Sequence, residues 1–150
     1  MSALKDILNR STKEAMKARD KNRVATLRMV NAEVKRIEVD ERRALSDDDV
    51  FAVLNKMLKQ RKDALQQFQA ADRQDLASIE AYEIGVIEEF LPAQMEDEEL
   101  AAFIIGLVSQ SGAQGIQDMG KVMGLLKSQG QGRVDMGKAS AMVKTQLGNL

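Results

Sequence analysis

The stretch RVATLRMVNAEVKRI, residues 23–37, returns to an apolar side chain every three or four positions. This spacing puts the apolar residues on one face of an α-helix with 3.6 residues per turn. No Gly or Pro interrupts the stretch, so we predict a helix over about Lys21–Arg42. Its buried face comprises Val24, Leu27, Val30, Val34 and Ile37.

The same periodicity continues on both sides of this helix. We predict a preceding helix from the N-cap Ser2 to Lys17, and a third helix that Ser46 and Asp49 begin as a capping box. A fourth helix is predicted from an Asp72 cap to Leu91. The predicted buried faces are Leu4, Ile7, Leu8, Ala15 and Met16 in the first helix, Val50, Phe51, Leu54, Met57, Leu58, Leu65 and Phe68 in the third, and Leu76, Ile79, Ile84, Ile87 and Phe90 in the fourth.

Pro92 is the single proline, and the character of the sequence changes there. Proline lacks a backbone donor and disfavours helix in the residue before it, so the fourth helix should end at this point. Glycine becomes frequent after Gly112, and we predict three short helices, over Asp97–Gln110, Met119–Ser128 and from an Asp135 cap to about Leu147. The expected fold is all-α, with an N-terminal long-helix domain (1–92) and a small three-helix bundle (93–150). We identify no internal repeat in either half.

Composition excludes several classes of protein. The 150 residues contain no Cys and no His, which rules out disulfides, thiolate or imidazole zinc sites, and Ser-His or Cys-His relays. The acidic clusters, such as Asp47–Asp49, precede predicted helices, where the helix dipole explains them without chemistry. We therefore expect no catalytic residues, no metal and no cofactor. The sequence shows no apolar run long enough to cross a membrane and no signal peptide, so we predict a cytoplasmic protein without membrane partners.

The charges are unevenly spread although the net charge is −1. Residues 1–45 carry 12 Lys and Arg against 7 Asp and Glu, whereas residues 46–92 carry 5 against 10. A basic N-terminal segment is compatible with an anion-facing surface, and it is also compatible with solvated helices that alternate their charges. One candidate basic patch combines two residues seven apart on the second helix with three on the third: Arg28, Lys35, Lys59, Arg61 and Lys62.

Basic residues beside glycines give the more suggestive pattern in the C-terminal half. Glycine lets a phosphate backbone approach the main chain closely, while Lys and Arg supply the attraction. The candidate nucleic-acid-binding residues are Lys121, Arg133, Lys138, Lys144, Gly120, Gly124 and Gly132. The chain has one Tyr and four Phe, which mostly fit core positions, so it offers no stacking platform for single-stranded bases. Any bound nucleic acid would be a folded RNA recognised by its shape, and we expect no DNA binding.

Five segments in order resemble the YqeY-like family over essentially the whole chain. They are TLRMVNAEVK (26–35), LKQRKDAL (58–65), EEFLPAQM (88–95), DMGKVMG (118–124) and GRVD (132–135). The last two also resemble the tail domain of the B subunit of glutamyl/aspartyl-tRNA amidotransferase. The resemblance implies an all-helical N-terminal domain followed by a small three-helix domain related to a tRNA-binding tail.

The resemblance implies no catalytic machinery, because the kinase and transamidation chemistry of the amidotransferase belongs to other regions and to a partner amidase. We therefore expect a non-catalytic protein that binds tRNA or a tRNA-handling complex. Two alternatives stay open. One is a protein-interaction module without RNA binding, and the other is an accessory to a carbon-nitrogen ligase that uses glutamine as amido donor. The oligomeric state does not follow from the sequence.

Overall fold

The computed structural model describes residues 2–150 and confirms the all-α fold. Contacts divide the chain into two compact units, one ending at Leu91 and the other beginning at Pro92. The first unit contains four α-helices, α1 (Ala3–Lys17), α2 (Lys21–Glu41), α3 (Asp47–Ala70) and α4 (Gln74–Glu88). The second contains α5 (Asp97–Ser111), a 3₁₀ turn (Ile116–Asp118), α6 (Met119–Gln129) and α7 (Met136–Gly148).

Four helices, α1, α2, α3 and α7, begin where a side chain accepts from a free backbone donor of the first turn. The Ser2 hydroxyl accepts from the Lys5 N–H, and Ser46 and Asp49 form the predicted capping box. Asp135 caps α7 by accepting from the N–H groups of Gly137 and Lys138. Gly112 follows α5 with a φ of 71°, a left-handed conformation that glycine adopts without steric cost.

The predicted Asp72 cap is wrong. Asp72 has a φ of 56° and belongs to the turn that ends α3, where its N–H donates to the Gln69 carbonyl. Arg73 precedes α4 instead, and its side chain makes no capping hydrogen bond. An Asp in the left-handed region is tolerated better than most residues, which explains why this position serves a turn.

Each unit has its own apolar core. In the first unit, α1 packs on α2 and α3 packs on α4, and Leu27 and Leu54 are fully buried as their positions in the apolar faces predict. In the second unit, α5, α6 and α7 pack on one another around eight aliphatic residues that are at most 2% exposed. These eight are Leu100, Ile104, Leu107, Val122, Leu126, Ala139, Val143 and Leu147.

Three residues predicted to lie in the first core are exposed. Ile7 is 42%, Met16 50% and Ile79 53% accessible to solvent. Each lies one or two positions, about 100° or 200° of helix rotation, from a buried neighbour such as Leu8, Ala15 or Ala77. The apolar faces of α1 and α4 are therefore narrower than their composition indicated.

Candidate nucleic-acid interface

The outward face of α6 combines two open glycines with an exposed lysine. Val122 and Leu126 turn into the core, so Gly120 and Gly124 lie on the opposite, exposed side of the helix. A Cβ atom added at either glycine would meet nothing within 4 Å. The Lys121 side chain is exposed beside them and forms no hydrogen bond or ion pair with residues 2–150. An external group can therefore approach the α6 backbone closely next to an available ammonium group.

The predicted lysines of α7 differ in their availability. The Lys138 Nζ lies 2.7 Å from Asp97 Oδ1, and the hydrogen bond to this carboxylate raises the pKa of Lys138. Because this pair is exposed, an incoming phosphate can compete with Asp97 for the ammonium group. Lys144 is also exposed and has no such partner among residues 2–150.

Arg133 is engaged within the second unit. Its Nε donates to the Ala93 carbonyl at 2.9 Å, and its Nη2 contacts both Glu99 carboxylate oxygens at 3.0 and 3.1 Å. The Arg133 backbone carbonyl also accepts from the Met95 N–H at 2.8 Å. These contacts hold the segment before α5 against the loop before α7. Arg133 therefore stabilises the fold. Its guanidinium group is not freely available to phosphate, although the sequence analysis named Arg133 as a candidate nucleic-acid-binding residue.

Gly132 also has a local structural role. Its φ is 77°, where a side chain would be strained, and its carbonyl accepts from Gln94 Nε2 at 2.8 Å. The turn itself thus requires glycine at this position. A substitution of Gly132 would disturb the loop whether or not RNA approaches it.

The candidate basic patch of the first unit loses one member. Arg61 is not a surface cation, because its side chain is only 13% exposed and its Nε lies 2.8 Å from Glu83 Oε2. Its other guanidinium nitrogens contact the Met57 carbonyl and the Met29 sulfur. Arg61 thereby joins α3 to α4 and α2. The remaining members are exposed: Arg28 and Lys35 on α2, and Lys59 and Lys62 on α3.

The α6 and α7 segments form a sequence repeat that the sequence analysis missed. Residues 118–129, DMGKVMGLLKSQ, and 135–146, DMGKASAMVKTQ, are identical at six of twelve positions. Equivalent residues occupy equivalent environments, because Val122 and Ala139 are buried while Gly120 and Gly137 are exposed. Comparing the two halves of residues 118–146 at an offset of 17 would have found it.

The repeat adds residues to the candidate interface. On each of the two helices an exposed small residue lies between two exposed lysines in sequence. In α6 these are Gly124 between Lys121 and Lys127, and in α7 Ala141 between Lys138 and Lys144. Lys127, Gly137 and Ala141 were absent from the predicted set. α6 and α7 thus present similar basic faces with low side-chain bulk.

Residues 2–150 contain no group of three or more Asp or Glu side chains arranged to hold a metal ion. No helix within the same residues is both long and apolar enough to cross a membrane.

The model of the Yqey-like protein family matches residues 5–147, nearly the whole chain. The chain belongs to this family. One curated relative, an uncharacterized protein of Schizosaccharomyces pombe, is 34% identical over 89 residues, which are 59% of this chain and 72% of that protein.

Other curated relatives are named as mitochondrial proteins. The Meyerozyma guilliermondii protein called altered inheritance of mitochondria protein 41 is 36% identical over 132 residues, 79% of this chain and 64% of its own length. The Vanderwaltozyma polyspora protein of the same name is 27% identical over 119 residues, 75% of this chain and 64% of its own length. The match thus spans slightly less than two thirds of each of these two proteins.

Proposed function

We propose that this Yqey-like protein is a non-catalytic binder of folded RNA, with tRNA or a tRNA-handling complex as its partner. The observation that carries the proposal is the open α6 face, where Lys121 is unpaired beside Gly120 and Gly124. A helix interior gains stability when Gly is replaced by Ala, and nothing in this unit occupies the space beside the two glycines. Close approach by the phosphate backbone of a bound RNA would explain why glycine stands at both Gly120 and Gly124.

The mode of binding follows from the residues available. Lys121 and Lys144 would contact phosphates directly, Lys138 would do so in competition with Asp97, and the repeat adds Lys127. The second unit contains one aromatic residue, Phe103, and this side chain packs against the core. Base stacking is therefore a poor mode for this unit, and backbone contacts with a structured RNA suit it better.

The resemblance of DMGKVMG and GRVD to an amidotransferase tail supports tRNA as the RNA. The carbon-nitrogen ligase activity associated with that enzyme is not part of the proposal, since the tail is not its catalytic region. The cytoplasm is the proposed location. The mitochondrial names of the fungal relatives make a mitochondrial location the alternative, which microscopy of the tagged protein in its own cells would decide.

The test is tRNA binding by the full chain across a range of salt concentrations. Lys121→Glu and Lys144→Glu should each weaken binding and should lower the log-log salt slope by about 0.7 to 0.9 per lost phosphate contact. The matched control is Lys13→Glu, the same charge change at an exposed position of α1 in the first unit. It should leave the slope unchanged.

Circular dichroism should show that all three variants fold, since they alter exposed side chains. Equal tRNA affinity in the wild type and a Lys121→Glu, Lys144→Glu double variant would contradict the proposal. An effect of the same size from Lys13→Glu would show nonspecific attraction instead. An assay of tRNA amidation with and without the chain would test the alternative that the protein is an accessory to a carbon-nitrogen ligase.

A further inference from the structure

The first unit contains a cleft between the end of α1 and the first half of α2. The cleft has a volume of about 370 Å³ and is lined by Met16, Arg19, Lys21, Val24, Ala25 and Arg28. We call it the α1/α2 cleft. Three of the six lining residues are cations and none is an anion. The nearest acid in sequence, Asp20, does not line the cleft, and its carboxylate accepts from the Arg23 N–H as the cap of α2.

The cations of the cleft lack acidic partners. Arg19, Lys21 and Arg28 form no ion pair with residues 2–150, and the Arg28 guanidinium group contacts the Met16 sulfur at 3.9 Å. By contrast, Arg23 on the same helix pairs with Glu89 at 2.7 Å, and Arg36 pairs with Glu33 at 2.6 Å. The cleft therefore concentrates positive charge that the protein itself does not neutralise.

The floor of the cleft is apolar and continues across α2. Met16 is 50% exposed, and Val24 and Ala25 lie beside it. Ala25 also lines a second cleft, of about 400 Å³, whose walls include the exposed side chains of Ile79 and Tyr82 on α4. Because the Ala25 side chain is small, it does not form a wall between the two clefts, and they are continuous over it. Large exposed apolar residues from α1 and α4 thus border one continuous surface, as at interaction sites.

The spacing of the cations limits what can occupy this surface. Lys21 and Arg28 are seven residues apart on α2, about 10 Å along the helix axis, with the apolar floor between them. An alkyl anion with a single headgroup would engage only one end. Two acidic side chains at positions i and i+7 of a partner helix have the same separation, and apolar side chains at i+3 and i+4 lie between them.

We propose that the α1/α2 cleft and its continuation over Ala25 form a docking surface for an acidic amphipathic helix of a partner protein. The acidic residues of the partner helix pair with Lys21 and Arg28, and its apolar residues enter the two clefts on either side of Ala25. This surface belongs to the first unit, so the proposal is independent of RNA binding by the second.

The test uses a fluorescein-labelled, alanine-based helical peptide as probe, with two glutamates seven positions apart and two leucines midway between them. Fluorescence anisotropy with the full chain should show saturable binding. Arg28→Glu and Lys21→Glu should each weaken binding roughly tenfold, because each removes an attraction and adds a repulsion. The matched control is Lys35→Glu, which makes the same charge change seven residues beyond Arg28 on α2 and outside the cleft. It should change affinity less than about twofold.

Two control peptides check the chemistry of the ligand. Replacing the glutamates by glutamines, or the leucines by alanines, should each reduce binding about tenfold, and amide NMR shifts should map to the residues around Ala25.

No saturation by the original peptide would overturn the proposal, and so would equal losses in Lys35→Glu and Arg28→Glu. Binding of dodecyl phosphate at these residues without peptide binding would overturn it in favour of a lipid-like anion. Dimerisation abolished by Arg28→Glu would overturn it in favour of a second copy of the chain.

Discussion

Arg133 and Glu99 form a two-hydrogen-bond ion pair that connects the loop before α7 to the first turn of α5. The Arg133 Nη2 lies 3.0 and 3.1 Å from the two carboxylate oxygens, while its Nε binds the Ala93 carbonyl. The pair is partly exposed, with 36% of the Arg133 side chain accessible. Arg133 thus pairs with an acidic side chain and also binds a backbone carbonyl. These two contacts explain why this loop contains a basic residue even if no RNA binds to it.

Reversing the charge of Arg133 should therefore destabilise the second unit. Arg133→Glu places two carboxylates together and leaves the Ala93 carbonyl without its donor, at a cost of roughly 1 to 2 kcal/mol. Urea unfolding would measure this loss. The double variant Arg133→Glu, Glu99→Arg should recover part of the stability, because the ion pair can re-form in the opposite sense. Full stability in Arg133→Glu would show that the clamp contributes nothing.

Truncation of Leu54 should lower the stability of the first unit substantially. Leu54 is fully buried, and Leu54→Ala should cost about 2 to 5 kcal/mol through lost burial and a residual cavity. Leu27→Ala should behave similarly for the same reason. The control is Ile79→Ala, an aliphatic truncation at an exposed position of α4, which should cost less than about 0.5 kcal/mol. Denaturation midpoints would compare the three, and equal losses would contradict the assigned core.

Acid should weaken a contact that joins α1, α2 and the loop before α3. The Glu38 carboxylate accepts from Lys5 Nζ at 2.6 Å and from the Leu45 N–H at 2.8 Å. These hydrogen bonds lower the pKa of Glu38. A lowered folded-state pKa means that this stabilisation is present above the ordinary Glu pKa of about 4.3 and is lost as pH falls through the folded value.

Glu38→Gln should therefore reduce the free energy of unfolding near neutral pH by roughly 1 kcal/mol and should flatten its fall in acid. Urea unfolding at a series of pH values would measure both effects. Glu88→Gln offers a control, since Glu88 is exposed at the end of α4. An acid dependence that is identical in Glu38→Gln and in the wild type would refute the assignment.

The glycines of the second unit should respond to alanine in opposite directions. Gly124→Ala should stabilise the fold by about 0.5 to 1 kcal/mol, because α6 gains helix propensity and the new methyl group meets nothing within 4 Å. Gly112→Ala should destabilise it, since φ there is 71° although the space is equally open. Thermal unfolding would separate the two. If RNA approaches the α6 backbone, Gly124→Ala should also bind tRNA more weakly despite its greater stability.

The sequence by itself determined the all-α fold, the fully buried centres Leu27 and Leu54, and the caps at Ser2, Ser46 and Asp135. These features depend on periodicity and on hydrogen bonds within a few residues, which local sequence encodes. The family was also recognisable, because its motifs appear in order along the chain.

Only the tertiary structure decided which charged and apolar residues are available at the surface. Arg61 and Arg133 find carboxylates 22 and 34 residues away, and no local pattern identifies such partners. Met16 and Ile79 belong to apolar faces by composition, yet the neighbouring helices cover only part of each face. Availability depends on long-range packing and ion pairing, so Lys121 remained exposed and unpaired while the equally basic Arg61 became a structural contact.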